Sequence, residues 1–220
     1  MIQHLHFRIA VMTCAIGLAG CAGNPMAASP EAAPAVVSQA ATLRAQGQPE
    51  QAVAVLQRAA IKDPEDKRLR AAYGKSLVAV GRLKEAQQVL ANAHTPDAPN
   101  ASVLSAQGVV AAELGEYERA QRYFDRALRL RPDDPLIEAN SAIAYALAGD
   151  LGRAEALARQ AAARSAADAR VRQSLAIVLS MRGKDQAAET LFAQDLTPEQ
   201  AAANTTLLRS MRNGKPAPRA

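Results

Sequence analysis

The chain has no tryptophan, and aromatic residues make up only 3% of its 220 positions. Few large core anchors are therefore available, and burial has to be spread over many small contacts. Histidine occurs three times and cysteine twice, and two of those histidines and Cys14 fall in the first twenty residues. His94 and Cys21 remain, too few for a Ser/His/Asp or Cys/His arrangement and too few for a disulfide. There is no HExxH, no CxxC and no glycine-rich phosphate loop. Carboxylate pairs such as Asp133 with Asp134, and Glu116 with Glu118, sit between apolar segments, where helix capping and solvation account for them. The expectation is a non-enzyme with no catalytic residue, no metal and no small-molecule substrate. The formal charge of +5 comes from interspersed acids and bases, without a basic cluster carrying interleaved aromatics, so nucleic acid is not an expected partner.

What the sequence does have is a period. Gly47, Gly81, Gly115, Gly149 and Gly183 follow one another at 34 residues. Ala52, Ala86, Ala120, Ala154 and Ala188 run five residues behind them, and Ala59, Ala93, Ala127 and Ala161 seven residues later again. A fixed period of this size marks a stack of like supersecondary units. In the unit Ala101–Asp134, Val103, Leu104, Gly108 and Ala111 form one apolar helical stripe. Tyr117, Ala120, Phe124, Ala127 and Leu128 form a second. Gly115 separates the two, where a left-handed backbone ends a helix cheaply, and Pro132 stops the second helix.

These residues resemble the tetratricopeptide repeat: Leu104, Gly108, Tyr117, Ala120, Phe124, Ala127 and Pro132 hold its pattern. The expected fold is all-α, a solenoid of about five 34-residue helix-turn-helix repeats over residues 35–212, closed by a capping helix. Small residues at Ala40, Gly74, Gly108, Ala142 and Ala176 would let each first helix sit close to its own second helix, with Leu56, Leu90, Phe124 and Phe192 filling the gap. The repeats depart from the pattern in places, since Ala158 replaces the large residue of the fourth unit. After Leu196 the register breaks. Thr197-Pro198-Glu199-Gln200 reads as a cap and proline start of a last helix running to about Arg212, with a disordered tail at 213–220.

Residues 1–20 carry Arg8 and an apolar run from Ile9 to Leu18, too short to span a bilayer, and read as a secretory signal. The run ends Leu18-Ala19-Gly20-Cys21, which resembles the bacterial lipobox. That resemblance implies lipid attachment at Cys21, no other cofactor, and an outer-membrane anchor facing the periplasm, because Ala22 is not the aspartate of an inner-membrane retention mark. Residues 21–34, with three prolines, would be a flexible tether, leading to a frayed first helix at Pro34.

A stack of this kind offers a face for binding protein. The first helices would present Arg68, Ala71 and Lys75; Ser105, Val109 and Glu113; Leu136, Asn140, Ile143 and Leu147; and Arg170, Gln173, Ile177 and Met181. Repeats that clamp a C-terminal carboxylate use a lysine- and asparagine-rich set. Only Lys75 and Asn140 match it, two units apart, which favours an extended or helical apolar peptide instead. The lipobox, the five repeats, LIEANSAIAYALAGDLGRAEAL, RVRQSLAIVLSMRGKDQAAETL and the closing DLTPEQAAAN together resemble the lipoprotein of the tight-adherence (Tad/Flp) pilus assembly system, TadD-type. The resemblance implies a pilotin-like helper whose partners are the pilus secretin or other pilus-assembly subunits. A type IV pilus biogenesis lipoprotein, and a scaffold or adaptor of β-barrel assembly or cell-wall synthesis, are the alternatives.

Overall fold

The computed structural model describes residues 32–166 and 168–214. The signal at 1–20, Cys21, most of the tether and residues 215–220 of the tail lie outside the described residues. Among the described residues there are eleven helices and no strand. They fall into two compact units, Met1–Pro99 and Asn100–Ala220. The division lies at the end of HTPDAPN, the proline-containing exit of the second repeat.

The N-terminal unit holds α1 (Ala32–Ala45), α2 (Pro49–Lys62), α3 (Lys67–Ala79) and α4 (Leu83–Ala91). Two hairpins pair α1 with α2 and α3 with α4, and α3 packs on both helices of the first pair. Helix α1 starts at Ala32, so Pro34 lies inside its first turn rather than before a frayed end. Proline is tolerated there because the first amides of a helix have no intrahelical acceptor. The C-terminal unit continues with α5 (Ala101–Glu113), α6 (Tyr117–Leu130), α7 (Pro135–Leu147), α8 (Leu151–Arg164), α9 (Ala169–Met181), α10 (Asp185–Phe192) and α11 (Pro198–Arg212). Here α5 pairs with α6, α7 with α8 and α9 with α10. Helices α5, α7 and α9 pack side by side, and α11 closes the end against α9 and α10.

The five periodic glycines all sit at φ between 73° and 90°. An L side chain there costs about 1–2 kcal/mol, which is why the position holds glycine in every repeat. Each turn is locked the same way, by the amide one residue past the glycine reaching back over the helix end. Glu116 donates to the Ala111 carbonyl at 2.8 Å and Lys184 to the Leu179 carbonyl at 2.9 Å. Helix starts are also periodic. Asp66, Asn100, Asp134 and Asp168 cap α3, α5, α7 and α9, their side chains accepting from amides of the first turn.

Close approach explains the small residues within the first helices. A Cβ on Gly108 would lie 2.8 Å from Phe124 Cζ, and one on Gly74 would lie 2.6 Å from Leu90 Cδ2. Ala52, Ala86, Ala120, Ala154 and Ala188 are fully buried; of the later alanine series Ala59 is only half-buried. The last helix begins with both halves of a capping box. The Thr197 hydroxyl accepts from the Gln200 amide and the Gln200 side chain from the Thr197 amide.

Candidate partner-binding site

In the N-terminal unit, α3 carries Arg68 and Lys75 at its first and third turns. Arg68 is exposed and pairs with the capping Asp66 at 3.3 Å, so part of its charge is already answered locally. Lys75 is half-buried.

In the C-terminal unit the 34-residue period brings equivalent residues into line on helices that touch. Val109 on α5, Ile143 on α7 and Ile177 on α9 occupy one repeat position, and Leu147 and Met181 another. Val109 and Leu147 are half-buried against the cluster containing Leu104, Phe124 and Ile137. Ile143 and Met181, also half-buried, rest between the clusters around Ala158 and Phe192. Ile177 differs. It is 8% exposed and belongs to the core cluster with Ala201 and Leu208 of α11, so the capping helix seals it. Ser105 is 7% exposed and accepts a hydrogen bond from Asn140 Nδ2 at 3.4 Å. Asn140 is thus partly committed to its neighbouring helix. Ile177 and Ser105 support the face from beneath and offer a partner little area.

What stays accessible is the half-buried aliphatic line of Val109, Ile143, Leu147 and Met181, with Gln173 beside it and Arg170 at the start of α9. Arg170 is exposed, and its guanidinium pairs with Asp168 at 2.9 Å, holding that carboxyl below the usual carboxylate range. The surface therefore combines apolar area with amide groups and one partly neutralised cation. Those elements can bind a protein segment by desolvation; no proton-transfer pair or nucleophile stands among them.

Charges elsewhere in this unit hold helices together. Glu155 on α8 accepts from Lys184 at 2.6 Å, Arg159 at 2.6 Å and Arg182 at 2.9 Å, and Lys184 and Arg159 hold its carboxyl down. Asp185 on α10 accepts from Arg212 at 2.9 Å, Arg209 at 2.8 Å and the Ser180 hydroxyl at 3.0 Å, which tethers α11 and lowers its carboxyl strongly. Arg172 pairs with Asp195 and Arg164 with Asp133. Sequence spacing did not reveal these pairs, because they join residues 23–31 positions apart or converge several cations on one acid. Asp134, expected as a capping residue, belongs to a periodic capping set with Asp66, Asn100 and Asp168, whose spacing equals that of the glycines.

Tetratricopeptide repeat models match residues 43–108, 101–134 and 139–160, together just over half of the chain. No match to a curated protein was found. Among solved structures, a thermophilic TPR protein of Thermus thermophilus is similar at 22% identity and TM-score 0.67, over 83% of this chain and 97% of its own. PilF of Pseudomonas aeruginosa is similar at 22% identity and TM-score 0.62, over 84% of each chain. PilW, a widely conserved type IV pilus biogenesis factor, is similar at 20% identity and TM-score 0.63, over 84% of this chain and 88% of its own. The period, the left-handed glycines, the paired helices and these matches agree: the chain is a tetratricopeptide-repeat protein.

Proposed function

We propose that this protein is an outer-membrane lipoprotein of a Tad/Flp-type pilus assembly system, anchored through Cys21 and facing the periplasm. In this reading its C-terminal unit captures a secretin segment or another pilus-assembly subunit. The observation that carries the reading is the half-buried aliphatic line of Val109, Ile143, Leu147 and Met181 across three touching helices. Such a line lacks the lysine and asparagine set suited to a free carboxylate, and it favours an apolar segment as cargo. The Leu18-Ala19-Gly20-Cys21 motif and the small, proline-bearing stretch after it supply the anchor and its tether.

A type IV pilus role is the second reading, and the similarity in fold to PilW favours it. Two experiments separate and test these proposals. The intact mass of the membrane-extracted protein should show loss of residues 1–20 and addition of acyl chains at Cys21, both absent in Cys21→Ser. In-cell cross-linking of the full-length protein should then capture a Tad secretin or its neighbours. Dominant capture of type IV pilus subunits would move the assignment to the second reading, and capture of barrel-assembly or wall-synthesis proteins would end both. Because Ile177 is core, the groove variant for such work is Arg170→Glu with Gln173→Ala rather than any change at Ile177.

A further inference from the structure

The outer helix α6 carries a feature that neither its packing nor its fold requires. Arg119, Arg122, Arg126 and Arg129 recur at spacings of three, four and three residues. At 100° per residue they fall within an arc of about 80°, a single line along the helix. The first and fourth repeats serve as internal controls, since α2 and α8 each place a helix of the same length as α6 at these positions. At these four repeat positions no other unit has more than one arginine, Arg58 in the first and Arg153 in the fourth. The fold is therefore built without them.

Two of the neighbouring cations are spoken for. Arg119 pairs with Glu116 at 2.7 Å and lies over the Tyr123 ring at 5.6 Å, and Arg131 pairs with Asp134 at 2.6 Å. Arg122, Arg126 and Arg129 are exposed and enter no ion pair among the described residues. Leu130, 44% exposed, closes the line at its C-terminal end. All the cations of α6 are arginines, whose planar fork matches a carboxylate with two hydrogen bonds where lysine offers a point charge. Arginine and tyrosine are also the residues enriched at protein interfaces.

We propose that the arginine line of α6 docks an acidic helical segment of a protein partner, on a surface separate from the aliphatic face of α5, α7 and α9. Carboxylates repeating every three and four residues on the partner helix would meet Arg122, Arg126 and Arg129 in turn, with an apolar side chain reaching Leu130. Charge complementarity selects this occupant over a membrane. Glu118 and Asp125 lie about 20–40° beyond Arg129 on one edge of the line. A flat anionic surface would press against them along its width, whereas a helix can set its carboxylates toward the other edge, over Arg122 and Arg126.

The test uses the full-length protein and a synthetic helix-forming peptide with glutamate at i, i+3, i+7 and i+10 and leucine at i+11. Its partner probe is a peptide of the same composition with the glutamates distributed around the helix. Fluorescence anisotropy at low salt should show the aligned peptide binding about tenfold more tightly, as three exposed ion pairs would give, with the preference fading at high salt. The R122Q/R126Q/R129Q variant, which keeps good helix formers, should lose that preference, while Gln173→Ala keeps it. Equal binding of the two peptides, or an unchanged preference in the triple variant, overturns the proposal. So does binding of phosphatidylglycerol vesicles by Cys21→Ser protein that the added R122Q/R126Q/R129Q changes abolish, without any peptide preference, which would assign the line to a membrane surface.

Discussion

Gly108→Ala puts the helix-contact argument at risk. The added methyl would lie 2.8–2.9 Å from three atoms of the Phe124 ring, closer than real side chains approach. Phe124 is fully buried, so its ring cannot swing into solvent and must displace its neighbours. Overpacking of that kind costs about 1–3 kcal/mol. Alanine in place of glycine inside a helix returns about 1 kcal/mol, so the net loss should be about 1 kcal/mol. Native-state amide exchange read on peptides from α5 and α6 in the full-length chain reports that loss locally, as protection falling about fivefold. A second variant isolates the cause. Phe124→Leu removes the ring that clashes, so G108A should cost less in that background, a non-additivity that a propensity effect cannot produce. Slower exchange in Gly108→Ala than in the wild type would refute the close approach and with it the reason for small residues at this position.

Asp185→Asn should release α11 by about 1–2 kcal/mol, seen as faster exchange in Pro198–Arg212 with α7 and α8 unchanged. Arg212 and Arg209 lower the Asp185 carboxyl from its ordinary 3.8, so its contribution is present above that value and is lost only as pH falls through the lowered one. Protection of α11 in the wild type should thus hold from neutral pH to about pH 4 and decline under stronger acid. Glu138→Met should stabilise the C-terminal unit by about 1 kcal/mol at neutral pH. Glu138 is 3% exposed, its Oε2 has no partner, and Arg164 is 3.8 Å from its other oxygen. Burial raises the Glu138 carboxyl, so the ionised form is the costly one. The advantage of methionine should shrink as pH falls through that raised value, which thermal melts across a pH series would show. Thr197→Ala removes half of the capping box and should cost about 1 kcal/mol in the exchange of α11 alone.

The period made the fold legible because it records local demands. Gly115 is needed where the backbone turns left-handed, and Gly108 where a ring sits against the helix, and both demands act at the residue itself. The capping box at Thr197 was readable for the same reason. The binding face was legible only in outline. Val109, Ile143 and Ile177 occupy one repeat position and look alike in sequence, yet Ile177 is sealed by α11 while the other two stay half-open. Nothing local to Ile177 encodes that, since the covering residues Ala201 and Leu208 lie more than twenty positions away. Ser105 and Asn140 illustrate the same point, each polar and plausible on a binding face, yet joined to each other.

A photo-crosslinking residue placed in cells at Gln173, beside the aliphatic line, and separately at Gln186, exposed on α10 two repeats from the arginine line, tests the central claim most directly. Partner binding by the face of α5, α7 and α9 requires a discrete protein adduct from position 173, weakened by Arg170→Glu, and none from position 186. Adducts of equal yield from both positions, or from position 186 alone, would contradict it.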